Sequence, residues 1–190
     1  MSTHRAFGKT VSELGVAVAG DRRTLFSVLQ PVLHGIGVRT IRGFDNASQA
    51  VAGLTEAPAD VVFMADSLEP IDGYLLCEML RRRKSGPVCE AAIVIMAGGP
   101  VRQRDLERAL LAGAHQVLMP PISPALLSRR LMALCQDARL FRTVDGWMEL
   151  EGTRDMLSRV RMHELLGAGD VVTLPAEAIR TDNGPPSGDR

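Results

Sequence analysis

Short apolar runs rich in β-branched residues alternate with segments of helical period along most of this chain, and that alternation leaves few folds open. Residues 14–19 read Leu-Gly-Val-Ala-Val-Ala and close on Gly20-Asp21. A run apolar on both faces suits a strand buried in a parallel sheet. Leu25, Leu29, Val32, Leu33 and Ile36 then recur at steps of three and four, which predicts an amphipathic helix. Gly35 and Gly37 end it, and Pro31 is expected to kink it. Residues 38–42 predict a second, more exposed strand and 45–54 a second helix. Residues 60–65 and 91–97 read as further buried strands, with a helix over about 73–84 between them. A helix over 101–113, a short strand at 115–119 and a last helix from Ser123-Pro124 to about 138 complete the pattern. Ser123 is the expected N-cap, with proline at the first helical position.

Five repeats of strand then helix, joined by short connections, imply an α/β fold with a parallel five-stranded sheet covered on both faces. Sites in such folds lie at the carboxyl ends of the strands. Here those ends are Gly20-Asp21, Ala65-Asp66, Ala97-Gly98 and Met119-Pro120.

Hydrophobic residues make up 46% of the chain and aromatics only 4%, so the core is expected to be aliphatic. A net charge of zero argues against nucleic acid or an anionic membrane as partner. Cys77, Cys89 and Cys135 lack the paired spacing of metal motifs, and His4, His34, His115 and His163 lack ligand spacing. Buried reduced thiols, no bound metal and no cofactor are the expectation. With no apolar run of membrane-spanning length and no signal-peptide pattern, a soluble cytoplasmic protein is expected.

The stretch from Pro58 to Gly73 reads Pro-Ala-Asp-Val-Val-Phe-Met-Ala-Asp-Ser-Leu-Glu-Pro-Ile-Asp-Gly. With Ala112-Gly113-Ala114 and Pro121-Ile122-Ser123-Pro124 in the right order, it resembles the CheY-like receiver domains of two-component response regulators. The resemblance covers about residues 12–142. It implies a flavodoxin-like (βα)5 three-layer sandwich and a role in phosphorelay signal transduction.

At the reactive positions the chain departs from the family. The acid pair after the first strand reads Gly20-Asp21. Counting back from Asp72-Gly73, the phosphoacceptor position falls on Ala65, with Asp66 one place later. The hydroxyl position falls on Ala97 and the lysine position on Pro120. Phosphoryl transfer to a carboxylate needs a divalent cation held by oxygen ligands and a counter-ion for the developing charge. Asp21 alone is a poor metal site, and an N-cap role suits it better. Asp66 is shifted by one residue, which on a strand aims a side chain at the opposite face. A bulge would be needed to make it a weak acceptor. The expectation is a pseudo-receiver without enzymatic activity.

Arg102, Arg104, Arg108, Arg129 and Arg130 mark a candidate partner-binding face, since residues 100–142 hold seven arginines against three acids. Arg81-Arg82-Arg83-Lys84 adds a second basic run suited to the end of a helix. Solvated helix surface is the plain alternative. A sensor of an anionic molecule of the cyclic dinucleotide type is another. Residues 1–11 read as a tail. Residues 143–190 read as an extension with a helix at about 153–166, an edge strand at Val171–Leu174 and disorder over 181–190. The expected function is that of an atypical single-domain response regulator acting as a phosphorylation-independent adaptor. The expected partner is a histidine kinase, a phosphotransfer protein or another receiver, and family precedent adds a homodimer.

Overall fold

The computed structural model describes residues 1–165, except for the side chains of Arg83 and residues 162–165. The expected edge strand at Val171–Leu174 and the tail 181–190 lie outside the described residues. Along the chain run β1 (Ser2–Thr3), β2 (Gly15–Ala19), α1 (Ser27–Gly35), β3 (Thr40–Phe44), α2 (Ala47–Glu56), β4 (Val61–Ala65) and α3 (Gly73–Arg81). They are followed by β5 (Ala92–Met96), α4 (Gln103–Leu111), β6 (Gln116–Leu118), α5 (Pro124–Gln136), β7 (Leu140–Val144), β8 (Trp147–Leu150) and α6 (Thr153–Leu165).

The main sheet has five parallel strands in the order β3-β2-β4-β5-β6. Each of β2, β4 and β5 is buried on both faces, which explains their unbroken apolar sequence. Ala17 and Ala19, Val62 and Met64, and Ile93 and Ile95 face one layer, where α2, α3 and α4 bring Leu54, Leu76, Leu80, Leu106 and Leu110. Val16 and Val18, Val61 and Phe63, and Val94 and Met96 face the other, where α1 and α5 bring Leu29, Leu33, Leu127, Leu131 and Leu134. This is the flavodoxin-like three-layer arrangement that the resemblance implies.

The helix termini follow local capping chemistry. The side chains of Asn46, Asp72 and Ser123 accept hydrogen bonds from the backbone N–H groups of Gln49, Leu75 and Leu126. Pro31 sits inside α1 without ending it, and Arg22–Phe26 just before it wind as one wider π turn. All three cysteines are buried, and none is in a disulfide. Among the described residues no helix is long and apolar enough to cross a membrane.

Residues 1–11, read from sequence as a tail, are built into the body. Ser2 and Thr3 pair antiparallel with Phe141 and Leu140, and His4 and Ala6 are buried. Lys9 reaches the buried Asp60 carboxylate at 2.7 Å, and Asp60 also accepts the Gly15 N–H at 2.8 Å. The extension begins with a hairpin that closes the three-stranded sheet β1-β7-β8. Its turn is Asp145-Gly146, both at positive φ, as a two-residue hairpin turn requires. Beneath it Cys89, Phe141, Met148 and Leu150 form a small core of their own.

Arg81 ties this second unit to the first. It is 1% exposed, so it does not belong to a surface basic run. Its Nη1 donates to the carbonyls of Cys89 (2.7 Å) and Ala91 (2.8 Å), and its Nε donates to that of Gly113 (2.9 Å). Its Nη2 lies 3.3 Å from His115 Nδ1, and the guanidinium stacks 4.8 Å over the Phe141 ring. Gly113 has φ +84°, and a Cβ there would come within 3.0 Å of Arg81. Glycine is therefore needed for the turn and for the packing. Arg81→Leu would leave these acceptors without a donor, and we expect a loss of about 3 kcal/mol, read as a lower urea midpoint.

His4 and His115 meet edge to face at 4.8 Å beneath the same hairpin. Burial holds both imidazoles below their ordinary value, His115 well below it. Arg81 and Arg139 reinforce this, while Asp137 opposes it at His4. The unfolded chain takes up these protons near pH 6.5, whereas the folded one does not, so below that pH the unfolded state binds more protons. Stability should hold above about pH 6.5 and fall as the pH drops. A urea midpoint lower at pH 5.5 than at pH 7.5, with the difference reduced in His4→Leu, is the expected result.

Candidate functional site

The carboxyl ends of β2, β4, β5 and β6 lie along one edge of the sheet, as the alternation predicts. Asp21 follows β2 and caps the turn into α1, accepting the Arg23 N–H at 2.7 Å. Gly20 beside it could take a longer side chain only if Leu25 moved. A Cβ there would lie 2.8 Å from Leu25 and 3.4 Å from the Ala65 methyl.

Ala65 and Asp66 diverge. The Ala65 methyl faces Gly20. The Asp66 carboxylate turns instead to the end of β5, where Oδ2 accepts the Gly98 N–H at 3.0 Å and Oδ1 accepts the Ser67 N–H at 2.7 Å. The main chain is anchored too: Asp66 N–H donates to Met96 O, and Gly73 N–H donates to Asp66 O. Gly73 sits so tightly on this strand end that a Cβ would fall 2.1 Å from the Ala65 carbonyl oxygen. Glycine at 73 is therefore required by close packing.

Ala97 is buried at the end of β5, its N–H bound to Leu118 O. Pro120 is exposed and precedes a cis bond to Pro121. Neither position carries a hydroxyl or an ammonium group. Between the ends of β2, β3 and β4 lies an open cleft of about 660 Å³ lined by Asp21, Arg22, Arg23, Asp45, Ser67, Leu68 and Glu69.

The five candidate arginines are distributed over two helices. Arg102, Arg104 and Arg108 start or lie on α4, whereas Arg129 and Arg130 lie on α5. Arg108 is engaged by the Asp72 carboxylate at 2.7 Å and stacks 4.6 Å from the Tyr74 ring. Burial pushes the Tyr74 phenol up to about 12, with Asp105 and Asp66 adding to the shift. Arg104 lies 3.8 Å from Asp105. Sequence reading missed the Asp66–Gly98 and Arg108–Asp72 links, because each joins residues more than thirty apart.

It also missed a cluster of metal-type side chains away from these strand ends. His4, His115 and Asp137 are buried, with donor atoms within 4.8 Å of one another. The hydrogen bonds oppose ligation. His115 Nδ1 accepts the Ile93 N–H at 3.2 Å, which places the ring proton on Nε2. Both Asp137 oxygens are taken by Arg139. A metal would need His115 in the other tautomer, with an N–H pointed at the Ile93 N–H.

The sequence profile of the response regulator receiver domain matches residues 16–132. The chain therefore belongs to that family, the receiver modules of two-component signalling. Solved structures agree on the fold. The receiver domain of the sensor histidine kinase PA1611 from Pseudomonas aeruginosa, with a magnesium ion coordinated in its active-site cleft, aligns at TM-score 0.56 and 23% identity, over 64% of this chain and 97% of that one. The receiver domain of Saccharomyces cerevisiae Ssk1, crystallised with the phosphotransfer protein Ypd1, aligns at TM-score 0.58 and 20% identity over 67% and 92%. The chemotaxis regulator CheY4 of Vibrio cholerae aligns at TM-score 0.55 and 16% identity over 64% and 98%. Among curated proteins no significant sequence match is found.

Asp66 is half-buried, so cutting its two hydrogen bonds is a modest loss. Asp66→Ala should cost about 1 kcal/mol. In amide NMR spectra it should shift Ser67 and Gly98 well beyond their neighbours.

Proposed function

We propose that this receiver works as a phosphorylation-independent adaptor, an atypical response regulator that signals through protein contact. The Asp66 carboxylate is the observation that carries the reading. It already occupies two main-chain N–H donors at the strand ends, Ser67 and Gly98, where an incoming anion would look for partners. Asp21 is spent as a cap, and Gly20 cannot take an acid without displacing Leu25. Where the family carries a pair of acids a cation would find Asp21 alone, and Mg²⁺ favours several oxygen ligands in octahedral array. With alanine at 97 and proline at 120, nothing at those positions balances a developing charge.

The partner in this reading is a histidine kinase, a phosphotransfer protein or another receiver. The complex of the Ssk1 receiver with Ypd1 supports a phosphotransfer protein as the first to try. A sensor of anionic small molecules gains little support, because Arg108 is committed to Asp72 and the other candidates are divided between two helices.

The test is an amide NMR titration with Mg²⁺ and then beryllofluoride, a mimic of aspartyl phosphate. The adaptor reading expects amides 20–21, 65–66 and 97–98 to stay in place at millimolar Mg²⁺. Concerted shifts reaching residues 101–119 would overturn it and make Asp66 a working acceptor.

A further inference from the structure

On α4 a core-facing stripe of Leu106, Ala109 and Leu110 separates two flanks. Arg108 leans towards α3 through Asp72. Glu107 leans the other way, towards the sheet's edge, and meets Arg161 of α6 at 3.4 Å. Helix α6, the last helix of the described residues, therefore lies along the outer flank of α4. Val160 is 3% exposed and joins the cluster that holds Leu106, Ala109, Leu110 and the edge-strand residue Val117. Met156 and Leu157 pack partly buried against the same cluster. Although β6 is the last strand of the sheet, Gln116, Val117 and Leu118 are all buried.

The hold is light. Among the described side chains past the first residue of α6, Val160 alone is buried, and the Arg161 side chain is 62% exposed. An exposed ion pair contributes little, because water screens it. The link from β8 to α6 is only Glu151-Gly152, with Gly152 at φ +80°. Most of a helix's stability in a protein comes from the face it packs, and here that face is narrow.

We propose that α6 is a displaceable mask over the outer flank of α4, and that a partner protein docks there by supplying an amphipathic helix of the same chemistry. That helix carries apolar residues one turn apart, as Met156, Leu157 and Val160 are, and a basic residue set to meet Glu107. The proposal rests on the adaptor reading, since a mask matters only if protein contact is the output.

The probe is a fluorescein-labelled peptide of residues 153–165, added to the full-length protein and followed by anisotropy. Wild type should bind it weakly, because α6 fills the flank. Val160→Asp, which undocks α6 while the flank stays intact, should bind it at least tenfold more tightly. Arg161→Glu changes only an exposed side chain and should bind it a few-fold more tightly, so the test survives if Val160→Asp fails to fold. Equal binding by wild type and both variants, or binding by neither variant, would overturn the mask. A concentration-dependent wild-type dimer, seen by light scattering and abolished by Val160→Asp, would make the occupant a second copy and overturn the partner assignment. A beryllofluoride response with the masking intact would sink the adaptor reading alone.

Discussion

Arg81 carries its guanidinium into the interior and surrounds it with acceptors from separate parts of the chain. Two carbonyls come from the segment before β5, one from the turn between α4 and β6, and an imidazole nitrogen from His115. Charge is costly to bury, and carbonyl dipoles arranged on several sides repay part of that cost. The stack on Phe141 of β7 then connects the receiver body to the added hairpin. Because β7 also pairs with β1, that stack links the N-terminal strand and the hairpin to the receiver body.

That arrangement changes what the extension is. A short stretch after a receiver reads in sequence as an appendage, with a helix of weak amphipathicity. In three dimensions it has its own small core beneath the hairpin, and its helix returns along α4. The hairpin is anchored by buried rings and the guanidinium, whereas α6 is held by one buried valine, the partly buried Met156 and Leu157, and an exposed ion pair. The two parts therefore differ in how readily they leave the body. The site end differs again. There the chain fills its own main-chain donors with Asp66 and links β4 to the loop that leads into α4.

The signals for the missed elements were partly present in the sequence. Asp145-Gly146 between Val144 and Trp147 is a strong hairpin signal, and the Trp147–Leu150 strand follows from it. No comparable signal marks Ser2–Thr3, because a two-residue strand has no period to detect. Arg81 opens a run of four basic residues, so local sequence suggests solvent. Only the convergence of carbonyls from distant turns explains its burial.

The order of buried strands and amphipathic helices was legible from sequence because both faces of the central strands are apolar and each helix shows its core stripe locally. The caps at Asp21 and Ser123 were legible for the same reason, since a cap is made with an N–H two or three residues away. The receiver resemblance likewise rested on contiguous residues whose spacing survives in one dimension. The tertiary structure alone decided where Asp66 points, how Arg108 is engaged, why His4 lies against His115 and which flank α6 covers. Each of those depends on contacts between residues far apart in the chain, and such contacts arise only once the sheet has brought them within reach.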